Sequence, residues 1–272
     1  MSSKLVPSNP SEVMVIRKVT ENITTLSVPF WRFSRIKVGG RGTLVRLSNG
    51  TVAVFSPVAL TPEVQETVAS MGELKYIAAL DLEHHIFVGA WHAQYPNAKV
   101  IGPEGLPEKR TKQKNEDVPF ATVFNAKDKA TTSIDADFDA DFDYEYVDGH
   151  ASKELVFHYK PDGALIEADL MFNLPATEQF SKTGESANTG FLTKLFCSIN
   201  RTDGAALGQQ RFIWYLTGSA NRPSFQESIR RINGWNFDKI IPCHGDVIET
   251  DAKGIFEKVF KWHLEGKKAK TT

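Results

Sequence analysis

Short apolar runs punctuated by turn signals fill the first hundred residues. ITTLSVPF (23–30), GTLVRLS (42–48) and TVAVFSP (51–57) have the length and β-branched content of strands. The last two flank Asn49-Gly50, a pair that accepts the positive φ values of a tight hairpin turn. TPEVQETVASMG reads as a helix, with Thr61 as N-cap, Pro62 in the first turn and Gly72 as the stop. LKYIAAL (74–80) is a continuous apolar run too short for a helix and fits a buried strand. A helix over FVGAWHAQYP, closed by Pro96, and a strand over AKVIGP (98–103) follow. Strands alternating with helices predict a sheet with helices packed on it, whose ligand sites lie at the carboxyl ends of strands.

The middle of the chain changes period. SIDADFDADFDYEYV (133–147) alternates strictly, with apolar residues at Ile134, Ala136, Phe138, Ala140, Phe142, Tyr144 and Tyr146 and acids between them. Period two predicts a half-buried strand with a solvated acidic face. A calcium loop of the EF-hand type is excluded, because the sixth position counted from Asp135 is Ala140 where a glycine is needed. Two strands joined by Pro161-Asp162-Gly163 come next, within 147–174. Residues 175–235 are helical in pattern. FDKIIPCHGDVI (237–248) is a strand ending at a histidine, and a C-terminal helix with lysines in its last turns closes the chain. Residues 1–13 are polar and Pro/Ser-containing, which predicts a loosely ordered start to a single domain spanning 1–272.

Composition narrows the function classes. Lys plus Arg (32) balances Asp plus Glu (33), so no net charge draws the molecule to nucleic acid or anionic lipid. No apolar run approaches the ~18 residues of a membrane span. The N-terminus lacks the apolar core of a secretory signal, which predicts a cytoplasmic protein. Two cysteines, Cys197 and Cys243, allow neither a disulfide framework nor a four-cysteine zinc module. The expected partner is a small-molecule substrate. The sequence is compatible with a homo-oligomer and does not require one.

Seven histidines occur. His84 and His85 follow YIAALDL, His150 stands in DGHAS and His244 in PCHGD, while Asp169 follows ALIEA. Each lies just after an apolar strand or in a small-residue turn, so all five side chains can converge at one sheet edge. Imidazole and carboxylate donors without thiolate suit a catalytic zinc, iron or manganese site. His92, His158 and His263 read as surface or core histidines, with His92, two helical turns after His85, kept as a further candidate for the site. Asp81 and Glu83 read as exposed loop carboxylates, with orientation of the imidazoles as the alternative; Asp246 is a further candidate for that orienting role.

The order of these motifs resembles the metallo-β-lactamase superfamily, in a branch with a modified first metal motif. The resemblance rests on the His-His-x-Phe…Trp arrangement, YPNAKVIGPEGL, EADLMFN and IPCHGD, and covers roughly residues 20 to 265. It implies an α/β fold of the αββα type, two facing sheets with helices outside and metal at one edge. Where the superfamily has His-x-His-x-Asp-His, this chain has Leu80-x-Leu82-x-His84-His85. The leucines cannot bind metal, so the resemblance implies one divalent cation, with zinc ahead of iron or manganese. Its expected ligands are His84, His85, Asp169 and His244. His150, which matches the superfamily's lone histidine, is left as the expected general acid.

Such a cation would lower the pKa of bound water and polarise an acyl oxygen. The expected activity is hydrolysis of a small ester, lactone, thioester or amide. The alternatives are a mononuclear iron oxidoreductase and a non-catalytic binding protein. Phe180, Phe191, Leu195, Phe196, Phe212, Trp214 and Tyr215 make residues 175–235 a candidate apolar cap over the site, with helical core packing as the other reading.

Overall fold

In a computed structural model, which describes residues 7 and 9–267, two sheets face each other and helices cover both outer faces. The strands are β1 (Val15–Lys18), β2 (Ile23–Val28), β3 (Trp31–Arg32), β4 (Ile36–Lys37), β5 (Gly40–Arg46), β6 (Thr51–Phe55), β7 (Glu73–Ala78), β8 (Lys99–Pro103), β9 (Phe120–Phe124), β10 (Phe142–Val147), β11 (Glu154–Tyr159), β12 (Ala164–Glu167) and β13 (Lys239–Pro242). One sheet has the order β1-β2-β5-β6-β7-β8-β9, the other β10-β11-β12-β13, and β3-β4 is a separate hairpin.

Alternation along each strand explains the layers. On β6, Ala53 and Phe55 point between the sheets and join Tyr76, Phe157 and Ile166 in the central core. Val52 and Val54 point outward and meet Val64, Val68 and Trp91 of the covering helices. The second sheet repeats this, with Val156, Leu165 and Ile240 packed under Phe225, Ile229 and Phe256. Strands buried on both faces must be apolar at consecutive positions, which is why they read as runs rather than as alternating segments.

The Asn49-Gly50 hairpin pairs β5 with β6, and the turn at 161–163 pairs β11 with β12. Thr61 caps the helix Pro62–Met71, and the backbone turns out of it at Gly72.

Residues 133–147 do not form one strand. Asp135 accepts a hydrogen bond from the Phe138 amide and starts the helix Ala136–Asp141, which is followed by β10. Phe138 and Phe142 are four residues apart, so both the two-residue and the helical period place them together, and their rings stack at 4.4 Å in the core. The capping bond decides between the periods.

At the two termini the structure covers the expectations only in part. Within 1–13, residues 1–6 and 8 lie outside the described residues, and Pro10–Val13 is a short helix. The C-terminal segment breaks at Phe260 into Ala252–Val259 and Lys261–Leu264, and 268–272, where further lysines were expected in the last turn, lie outside the described residues. Among the described residues, no helix is long and apolar enough to cross a membrane.

Candidate metal centre

The loops after β7, β12 and β13 meet at one edge of the two sheets and bring His84, Asp169 and His244 together. One ligand atom from each lies within 4.8 Å of the other two. His84 Nε2 is 3.1 Å from His244 Nε2, and the Asp169 carboxylate is 3.2 Å from that same His244 nitrogen. β12 and β13 are parallel neighbours, so their carboxyl ends present Asp169 and His244 side by side.

Each imidazole is held by its other nitrogen. His84 Nδ1 donates to Asp81 Oδ1 at 2.9 Å, and the same oxygen accepts from the backbone amides of Glu83 and His84. His244 Nδ1 donates to the Gly39 carbonyl at 2.7 Å. A carbonyl can only accept and Asp81 Oδ1 already takes two amide protons, so both Nδ1 atoms carry hydrogen and both Nε2 atoms are left as donors of a lone pair. Two lone pairs and a carboxylate facing one point repel each other unless a proton or a cation lies between them. The donor set therefore fits a divalent cation. Electrostatics agree: burial opposes charge on His84, yet Asp81 and Asp169 raise its pKa to about 9. Burial likewise opposes charge on Asp169, but His244 and His84 hold it below the usual carboxylate range.

The backbone around His244 is fixed from three sides. Arg41, fully buried, donates to the carbonyls of Pro242 and Gly245. Gln179 donates to the Cys243 carbonyl and accepts from the Gly245 amide. Gly245 has φ +97°, and a Cβ there would lie 2.1 Å from the Asn173 carbonyl oxygen, which explains the glycine after the histidine. The His244 ring stacks on Phe172 at 5.5 Å, and Phe172 is backed by Phe196 and Phe212.

Three expected site residues are placed differently from the expectation. His85 turns away from the cluster: it is buried beside Arg110, whose guanidinium donates to its carbonyl at 2.9 Å, and burial together with Arg110 lowers its pKa to about 4. The two rings leave this bent loop toward different partners, His84 toward Asp81 and His85 toward Arg110. His150 is outside the cluster, fully buried against Phe225; its Nδ1 accepts from the Ser152 amide, and burial lowers its pKa. Asp81 is not an exposed loop carboxylate but is fully buried as the partner of His84. The signal for it was its position three residues before His84, where an aspartate closes a turn on the following amides. Arg41, Gln179 and the Gly39 carbonyl carried no such signal.

Glu83 does stay at the rim, paired with Lys109 and Arg32. Asp246 contacts no imidazole and instead accepts from the Glu178 amide. His158 is held between Asp143 and the Asn236 carbonyl.

A cavity of about 420 Å³ opens onto His84 and His244. Its walls come from 28–33, 56–59 and 83–87, with Pro7 and Pro10 at its side, and no residue of 175–235 lines it. Phe196 and Phe212 of that helical segment support the back of His244 through Phe172 instead.

Over residues 31–179, more than half of the chain, the sequence matches the family described as Domain of unknown function (DUF4336). No curated protein matches the sequence. The metallo-β-lactamase of Hirschia baltica is similar in structure with a TM-score of 0.58 at 9% identity, over 92% of this chain and 97% of that one. The metallo-β-lactamase FIM-1 from Pseudomonas aeruginosa, in its mono-zinc form, gives 0.57 at 10% identity, over 97% of each chain. A flavo di-iron protein variant from Thermotoga maritima gives 0.57 at 12% identity, over 92% of this chain and 62% of that one. At such identities the likeness is one of fold. The chain belongs to the DUF4336 family and has the metallo-β-lactamase-like αββα fold.

Proposed function

We propose that this protein is a metal-dependent hydrolase of a small acyl compound, an ester, lactone, thioester or amide, working with one divalent cation held by His84, Asp169 and His244. The observation that carries this reading is the pair of His84 and His244 Nε2 atoms 3.1 Å apart, each ring fixed through Nδ1 so that its lone pair faces the same point. Three protein ligands and an apolar cavity beside them are the composition of a catalytic rather than a structural site. A bound cation would supply Lewis acidity toward an acyl oxygen and make water a nucleophile near neutral pH.

The chain's own residues do the positioning. Asp81 fixes the tautomer of His84, the Gly39 carbonyl that of His244, and Arg41 with Gln179 holds the loop between β13 and Gly245. His85 is not in this ligand set, because its ring lies against Arg110. The general-acid role expected of His150 is not carried over: burial favours its neutral form at pH 7, which has no proton to spare on an acidic nitrogen.

Elemental analysis of purified protein, followed by assay of acyl esters, thioesters and lactones, tests the reading. About one equivalent of zinc with hydrolysis is expected. Absence of metal binding overturns it. Iron in place of zinc turns the reading toward a mononuclear oxidoreductase, which the likeness to a flavo di-iron protein supports.

A further inference from the structure

The walls of the cavity beside His84 and His244 are apolar: Val28, Phe30, Val58, Ala59, Ile86 and Phe87. Among the described residues, its charged lining side chains each have a partner. Arg41 spends its guanidinium on Ser27, two backbone carbonyls and Glu178. Arg32 and Glu83 face each other at 3.7 Å, and Glu83 is paired with Lys109 as well. Among the described residues, the walls offer a phosphate, nucleotide or sugar no row of donors.

One polar group on the wall is unspent. Ser56 lines the same cavity, while its Oγ is turned away from solvent beside the Cys243 thiol, a weak acceptor, and has no other partner. Ser56 also sits at φ +48°, a left-handed conformation uncommon for a residue with a side chain. An unsatisfied hydroxyl in an otherwise apolar wall is costly unless something polar meets it.

We propose that this cavity takes the apolar acyl group of a carboxylic acid derivative, with its carboxyl carbon toward His84 and His244 and the Ser56 hydroxyl rotating from Cys243 to donate to a carboxyl oxygen. The proposal names the substrate class for the hydrolase reading above and rests on it for the orientation. The volume of about 420 Å³ lies in the range of sites that enclose a small ligand rather than a polymer.

Titration of the whole protein with straight-chain carboxylic acids from four to ten carbons, with and without zinc, tests it by calorimetry and needs no turnover. Affinity should rise about fourfold for each added methylene until the cavity is full. Phe33→Asp and Ile86→Asp alter lining residues that are 74% and 42% exposed, so folding should survive, and both should flatten the chain-length dependence. Ser56→Ala should weaken every acid by about five- to tenfold and leave the dependence intact. Equal affinity across the series, or a dependence unchanged in both aspartate variants, overturns the proposal. Chain-length-dependent binding without hydrolysis of any ester sinks the hydrolase reading and leaves the acyl cavity. Hydrolysis of short esters with no chain-length dependence does the reverse.

Discussion

His84 and His85 are neighbours in sequence and opposites in chemistry. The first sits beside the buried Asp81 carboxylate, which raises its pKa to about 9 against the effect of burial. The second sits beside Arg110, and burial with that cation lowers its pKa to about 4. One ring has anionic neighbours that favour positive charge on it, and the other a cationic neighbour that keeps it neutral. Residue type supplies the capacity to bind a cation, and the partner on the far side of the ring decides whether it is used.

The same contrast extends across the sheet edge. On one side His84, Asp169 and His244 converge. On the other, Leu80 is fully buried in the core between the sheets, Leu82 packs with the outer core, and His150 is closed in against Phe225. The half with donors is aimed at a single point. The half with leucines is filled like any other core.

The largest break in this comparison comes from the donors themselves. Asp169→Ala and His244→Ala should each lower zinc affinity by more than about 100-fold, because a three-donor set loses one of its members. His85→Gln should keep the wild-type stoichiometry, read by elemental analysis after dialysis. Equal loss of metal in His85→Gln would return His85 to the ligand set and cancel the contrast.

The orienting carboxylate is next. Asp81→Asn keeps shape and loses the charge that fixes His84, and partners of this kind affect affinity by about 10–100-fold. Competition against a chelator measures it. If Asp81→Asn binds zinc as wild type does, His84 is held by packing alone and its proximity to Asp81 is incidental.

How much of this could be read before folding depended on distance along the chain. The strands, the Asn49-Gly50 hairpin and the Thr61 cap are local, and each is written in a few adjacent residues. His84, Asp169 and His244 were legible because each follows a strand and strand ends converge. His85 was not, since its partner Arg110 comes from a helix twenty-five residues on. The role of 175–235 stayed open for a similar reason: apolar richness there has the same appearance whether it roofs a site or packs as core, and the contacts of Phe172 with Phe196 and Phe212 are of the second kind. The stretch at 133–147 had two compatible periods, and a single capping bond from Asp135 chose one.

The smallest effect is one of pH. His85 has a folded-state pKa of about 4, below the ordinary value near 6.5, so between those values the unfolded chain binds the proton and the folded chain does not. Stability from this group is therefore complete above about pH 6.5 and is lost as pH falls toward 4. His263, buried between Trp214 and Phe225 and likewise lowered to about 4, contributes with the same sign. In metal-free protein, where zinc release does not intrude, the melting temperature should fall by about 2–4 °C per pH unit for each such group. His85→Gln should remove its share and leave that of His263, so its curve should be shallower than wild type and still slope. A His84→Gln variant should not reproduce that shallower curve, because the shift on His84 has the opposite direction. Identical slopes in the wild type and His85→Gln would mean that His85 is solvated rather than held neutral by Arg110, and the difference between the two adjacent histidines would then lie in geometry alone.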